Sequence, residues 1–152
     1  MEIKEVNLTD KVLKQLISLS EDWEAENSCY GYRKNSKEFI EKSCIFLAME
    51  DNVIIGYLLG HMEAAKETTS IYQANEKCFE IEELYVKPQY RSHGIGKRLF
   101  QYVEKKIADE ADIILLSTAT KNFRAILHFY IEELGMEFWS ARLFKKVGKR
   151  IS

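Results

Sequence analysis

The feature that most constrains the fold is a strand, a turn through two glycines and a helix, laid end to end. Cys78 to Val86 is apolar and strand-like and is closed by Pro88. Arg91-Ser92-His93-Gly94-Ile95-Gly96 follows, and Ile95, Leu99, Val103 and Ile107 then mark one face of an amphipathic helix running to Ala108. Such a turn leaves several N–H groups at the helix start without intrahelical partners, all pointing one way. Together with the positive end of the helix dipole they make a site for a phosphate-bearing ligand.

The rest of the chain sets the bounds. Its 152 residues are enough for one domain, 1–152, that buries a core without disulfides or metal. With 46% apolar and 30% charged residues it reads as globular, and a net charge of −2 gives no overall basic surface for nucleic acid. Charge is nonetheless uneven: Glu21, Asp22, Glu24 and Glu26 cluster early, and Lys145, Lys146, Lys149 and Arg150 cluster at the end. Cys29, Cys44 and Cys78 form no C-x-x-C pair and suggest reduced thiols, hence a cytoplasmic protein. No apolar run is long enough for a membrane span, and no secretory leader pattern opens the chain.

Read along its length, Ile3 to Val6 forms a first strand, and Thr9 or Asp10 caps a helix with Leu13, Leu16 and Ile17 inward. A short helix near Ser36 to Lys42 precedes a hairpin of Ile45–Met49 and Val53–His61 about an Asp51-Asn52 turn. Glu63 to Lys77 is a polar connection. After the glycine turn and its helix, Ile113-Ile114-Leu115-Leu116 looks like a strand buried on both faces. Asn122 to Leu134 is a helix ended by Gly135, and Met136 to Val147 is a closing strand. The order β-α-α-β-β-β-α-β-α-β implies an α/β fold, a mixed central sheet with helices on both faces.

Other glycine loops fit poorly. A dinucleotide fold needs three spaced glycines in an opening βαβ unit, and a P-loop needs Gly-Lys-Ser/Thr, whereas Gly96-Lys97 precedes Arg98. The chain instead resembles the GNAT superfamily of N-acetyltransferases over nearly its whole length. Arg91-x-x-Gly94-x-Gly96 is similar to that family's pyrophosphate signature, Ile81 to Pro88 to its fourth strand, and Asn122-x-x-Ala125-x-x-Phe129-Tyr130 with Leu134-Gly135 to its second cofactor motif.

The resemblance implies acetyl-CoA as co-substrate and no metal. Its diphosphate would lie on the N–H groups of Ser92, His93, Gly94, Ile95, Gly96 and Lys97, with Arg91 or Lys97 neutralising it. The pantetheine arm would pair with the main chain of Leu84, Tyr85 and Val86, where an N–H would also polarise the thioester carbonyl. Asn122 would cap its helix and touch the cofactor, and Tyr130 would protonate the departing thiolate.

Transfer to an amine also needs a proton acceptor, because with a pKa near 10.4 only roughly one lysine-like amine in a few thousand is neutral at pH 7. Period-two alternation puts Glu80 and Glu82 on one strand face, and the family places its side-chain base at these positions. Glu80 is favoured, then Glu82; Glu83 is expected to face water, though a bulge would spoil the alternation there.

The family's acceptor lies near the early helices, where Trp23, Glu24, Glu26, Tyr30 and Tyr32 would suit a cationic amine such as a polyamine, an aminoglycoside or a peptide amine. A solvated acidic helix end accounts for the same residues. The implied partners are a small-molecule or peptide amine, with neither nucleic acid nor membrane. The resemblance allows a homodimer through the apolar strand around Phe138, Trp139, Leu143 and Phe144, although a packed core strand needs no partner. The alternative function is a non-catalytic acetyl-CoA-binding sensor or interaction module of the same fold.

Overall fold

A computed structural model of the protein describes residues 1–148. The elements run β1 (Glu2–Val6), α1 (Asp10–Glu26), α2 (Lys37–Glu41), β2 (Cys44–Glu50), β3 (Val53–Ala64), β4 (Lys77–Val86), α3 (Ile95–Ile107), β5 (Ile113–Leu116) and α4 (Phe123–Leu127). A π-helical stretch, His128–Glu133, prolongs α4. Local chemistry sets several of these boundaries. Thr9 Oγ1 accepts from Val12 N–H at 3.2 Å to start α1, and Ser36 Oγ does the same for Phe39 in α2. Asp51 and Asn52 both take positive φ, 51° and 65°, as the tight turn between β2 and β3 requires.

The five strands lie in the order β1-β2-β3-β4-β5, antiparallel except for the parallel β4–β5 pair. One face carries Leu16 and Leu19 of α1 and Ile40 of α2 against Ile45, Leu47, Ile54, Tyr57, Leu59 and Tyr85. The other carries Ile95, Leu99, Phe100, Val103 and Ile107 of α3 against Phe46, Leu58, Phe79 and Ile81. The mixed sheet with helices on both faces is therefore formed.

The sequence also predicts a closing strand over Met136–Val147, and the structure does not form it. Residues 137–148 are exposed and belong to no strand. A ladder needs a partner over its length, and the outer edge of β5, four residues long, is much shorter than the twelve-residue strand expected. Among this segment's aromatic contacts, Trp139 meets Tyr72 edge-on and Phe144 meets Tyr30. Lys149 and Arg150 lie outside the described residues. Among the described residues no helix is long and apolar enough to cross a membrane.

Candidate active site

Two irregularities of the sheet build the site. The first is a bulge. Leu59 pairs with Glu83 but Gly60 pairs with Ile81, so Glu82 is an extra residue on β4. Gly60 makes this close approach feasible, since a Cβ there would sit 2.6 Å from the Phe79 ring and 2.7 Å from the Glu80 carbonyl oxygen. The bulge reverses the alternation. Phe79 and Ile81 face α3, but beyond Glu82 it is Leu84 and Val86 that pack on that side, while Tyr85 joins the α1 face.

The second irregularity is a splay. β5 pairs with β4 only from Cys78 to Ile81, leaving the β5 side of Glu82 to Val86 without a strand neighbour. An extended, amide-bearing chain fits such an edge by main-chain hydrogen bonding. At the end of this gap lies the glycine turn. Gly94 is the N-cap of α3 at φ 77°, with no side-chain cap, and a Cβ there would meet nothing within 4 Å. The first N–H groups of α3 are thus free to bind an anion. Ser92 is left-handed at φ 66°, and His93 Nδ1 donates to the carbonyls of Arg91 at 2.7 Å and Tyr90 at 3.2 Å, bracing the turn. Gly96 lies beside Phe129, its Cβ position being 3.4 Å from Phe129 Cζ, an ordinary packing distance. The residues present therefore fit a ligand joining a diphosphate to a peptide-like arm.

Arg91, expected with Lys97 as a possible counter-charge to the diphosphate, has a partner within the protein. Its guanidinium makes a bidentate ion pair with Glu26, at 2.8 and 3.0 Å, and lies over the Tyr85 ring. Nε donates to the Val86 carbonyl at 2.8 Å, and Tyr85 Oη donates to Glu26 Oε2 at 2.6 Å. Burial pushes the Glu26 carboxyl up, but Arg91 and Tyr85 together hold it below the ordinary value. Among the described residues Lys97 forms no ion pair.

The β4 carboxylates separate into two environments. Glu80 is half-buried, and its Oε2 is buried with no hydrogen-bond partner among the described residues. Burial raises its pKa, Glu82 and Glu63 push the same way, and His61 opposes them. His61, which has no partner evident from sequence, contacts Glu82 through Nδ1 at 3.0 Å and Glu63 through Nε2 at 3.6 Å. Glu83 corrects the expectation that it faces water. It is 8% exposed, and its Oε1 accepts from Asn35 Nδ2 at 2.8 Å, Tyr57 Oη at 2.9 Å and Tyr32 Oη at 3.2 Å. Burial raises its pKa despite these three donors. The bulge that carries it to the α1 face is the physical reason.

Trp23 of α1 and Tyr32 in the connection after it lie over this face. Trp23 stacks on Tyr32 at 4.3 Å and on Tyr85 at 5.2 Å. Tyr30 N–H donates to the Ala119 carbonyl at 2.9 Å and Lys121 N–H to the Ser28 carbonyl at 2.8 Å, tying the α1–α2 connection to the β5–α4 connection. Glu24 is taken up locally, its Oε1 accepting from Lys34 N–H at 2.7 Å, and Tyr30 is exposed beneath the Lys121 ammonium. Asn122 holds the N-cap position of α4, but its side chain makes no capping bond. Tyr130 lies in the π-helical stretch on the α3 face, against Phe100 and Phe129, where burial and nearby Cys29 push its hydroxyl up to about 12. The structure thus brings Glu80, Glu82 and His61 together, and no hydrogen bond among the described residues joins Tyr130 to them.

This geometry meets an independent match. Residues 12–136 fit the acetyltransferase (GNAT) family model. The chain belongs to that family. Among curated proteins none matches its sequence significantly. Solved structures share the fold at low identity. An aminoglycoside acetyltransferase from an uncultured soil metagenomic sample, in complex with sisomicin, is 18% identical with a TM-score of 0.69, the match covering 97% of this chain and 96% of that one. The aminoglycoside N-acetyltransferase AAC(6')-Iy in complex with CoA is 18% identical with a TM-score of 0.66, covering 97% and 99%. An Arabidopsis thaliana protein in complex with the bisubstrate analogue CoA-Ac-MVNAL is 20% identical with a TM-score of 0.68, covering 92% and 86%.

Proposed function

We propose that this GNAT protein transfers the acetyl group of acetyl-CoA directly to a primary amine within a ternary complex. The observation that carries the reading is the splayed β4–β5 gap running into the uncapped start of α3, with carboxylates of the same strand on its far side. Ser92 to Lys97 would hold the diphosphate, and the main chain of Leu84 to Val86 would hold the arm and orient the thioester carbonyl. Lys97 supplies the counter-charge, because Arg91 is engaged by Glu26.

Glu80 is the favoured proton acceptor, with Glu82 beside it. A half-buried carboxylate with an unpartnered oxygen and a raised pKa is a stronger base than an exposed one, so it takes an ammonium proton, directly or through water, at lower cost. Tyr130 would return a proton to the departing thiolate. From a hydroxyl pushed to about 12 that transfer is uphill, so the phenol acts chiefly by hydrogen bonding to sulfur as charge develops there. For the acceptor we favour a cationic small molecule or peptide amine. Support comes from the carboxylate and aromatic face of β4 and α1, and from neighbours solved with sisomicin and with a CoA–peptide analogue.

Thiol release in the presence of acetyl-CoA, measured over a panel of polyamines, aminoglycosides and peptides, tests this directly. Turnover with at least one amine is expected. Acetyl-CoA binding without thiol release from any of them would instead mark a non-catalytic binding module.

A further inference from the structure

Glu83 stands apart from every other carboxylate in the described residues. Among the described residues it is the only buried acidic or basic side chain, and no Lys, Arg or His forms an ion pair with it. Buried charges are ordinarily matched by an opposite charge, since donors alone recover only part of the lost hydration. All three of its donors converge on Oε1, and Oε2 accepts none among the described residues. The carboxylate is thus fixed through Oε1, while Oε2 is not among the fully buried atoms without a partner and keeps a small contact with solvent.

Its surroundings select the kind of charge that would complete it. Tyr32 and Tyr57 reach it through their hydroxyls, and their rings form a continuous aromatic set with Trp23 and Tyr85, Tyr57 lying 5.8 Å from Tyr85. A carboxylate set among Trp and Tyr rings suits an organic ammonium, through charge pairing and attraction to the ring faces. A hydrated metal ion would need more oxygen ligands than Glu83 alone supplies, and no metal-binding group of His, Cys, Asp and Glu occurs among the described residues.

We propose that Glu83 Oε2 anchors an alkylammonium group of the acceptor, with Asn35, Tyr32 and Tyr57 holding the carboxylate in position. The proposal rests on the amine-acetyltransferase reading and specifies how that site recognises its acceptor. It assigns Glu83 to binding and leaves proton removal to Glu80 and Glu82.

Binding measured calorimetrically without acetyl-CoA separates the two ideas. Wild type, Glu83→Gln and Glu83→Asp are titrated with spermidine and with sisomicin, after thermal melts establish folding. Wild type should bind at least one of these cations, Glu83→Gln should bind it about tenfold or more weakly, and Glu83→Asp should recover part of the loss. Equal affinity in wild type and Glu83→Gln, or no binding of either cation to wild type, overturns the proposal. Should Glu83→Gln not fold, the carboxyl ¹³C resonance of Glu83 in wild type decides, because it must shift when spermidine is added. Glu83-dependent binding without thiol release would sink the acetyltransferase reading alone, whereas turnover indifferent to Glu83→Gln would sink this proposal alone.

Discussion

Arg91 and Glu26 meet in a two-pronged ion pair that joins the turn before α3 to the C-terminal end of α1. The pair is the first link in a chain of contacts. Glu26 also accepts from Tyr85, Tyr85 stacks on Trp23, Trp23 stacks on Tyr32, and Tyr32 donates to Glu83. The turn that would receive a diphosphate is thus in physical contact with the face that would receive an amine.

Glu26→Gln should therefore separate two effects of Arg91. With both partners partly solvated, losing the ion pair should cost about 1 kcal/mol or less of stability. Acetyl-CoA affinity should rise several-fold, because the released guanidinium can turn to the diphosphate and a nearby negative charge is gone. Calorimetric titration with CoA checks this. Weaker binding would mean that the pair itself shapes the cofactor turn.

Gly60→Ala tests whether the bulge depends on a missing side chain. A methyl group there would press on the Phe79 ring and on the Glu80 carbonyl. The ring is fully buried and the carbonyl is backbone, so neither yields cheaply. A loss of about 2–4 kcal/mol in urea denaturation is expected, with activity falling further because Glu82 and Glu83 lose their placement.

Tyr130→Phe keeps the packing against Phe100 and Phe129 and removes only the hydroxyl. Stability should stay within about 1 kcal/mol of wild type. The proposed hydrogen bond to the departing sulfur predicts a fall in kcat of about a hundredfold, with acetyl-CoA affinity unchanged. An unchanged kcat would leave Tyr130 as core packing.

Much of this was legible in the residues. Asp51-Asn52 announced its hairpin, the cap expected at Thr9 or Asp10 is Thr9, and Gly135 ended its helix at φ 75°. What sequence could not show was phase. Period-two counting carries Glu80 and Glu82 correctly only until a residue is inserted, and β4 inserts one at Glu82. The signal was Gly60, on the neighbouring strand, whose significance depends on a register that only folding reveals. Ion pairing was equally hidden, since Arg91 and Glu26 are 65 positions apart. The closing strand was read from its side-chain pattern alone, and pattern does not tell that the sheet edges, β1 and β5, are only five and four residues long.

Acidity should limit turnover through Glu80. Its folded pKa is raised above 4.5, so the base form is lost as pH falls through a value higher than an ordinary glutamate's. kcat/KM should rise with pH across that window and level off above it. Glu80→Gln should lower the plateau about a hundredfold or more and abolish that limb of the profile. A profile that keeps the limb would move the role to Glu82.

Glu83 makes the sharpest stability prediction, because two substitutions act in opposite directions. Its pKa is raised on folding, so the folded protein holds this proton more tightly than the unfolded chain does. Between the unfolded value of 4.5 and the higher folded value, stability must fall as pH rises, and the deficit persists at neutral pH. Glu83→Gln removes the buried charge and leaves an amide oxygen to accept from Tyr32, Tyr57 and Asn35, so its Tm at pH 7 should equal or exceed that of wild type. As pH drops toward 4.5 wild type regains its proton and the advantage should vanish. Glu83→Ala strands those same donors in a buried site, and a loss of about 3 kcal/mol or more is expected at any pH. Melts from pH 4 to pH 8 on the three proteins settle it: a Gln variant less stable than wild type at pH 7 would mean that the ionised carboxylate is favoured where it sits.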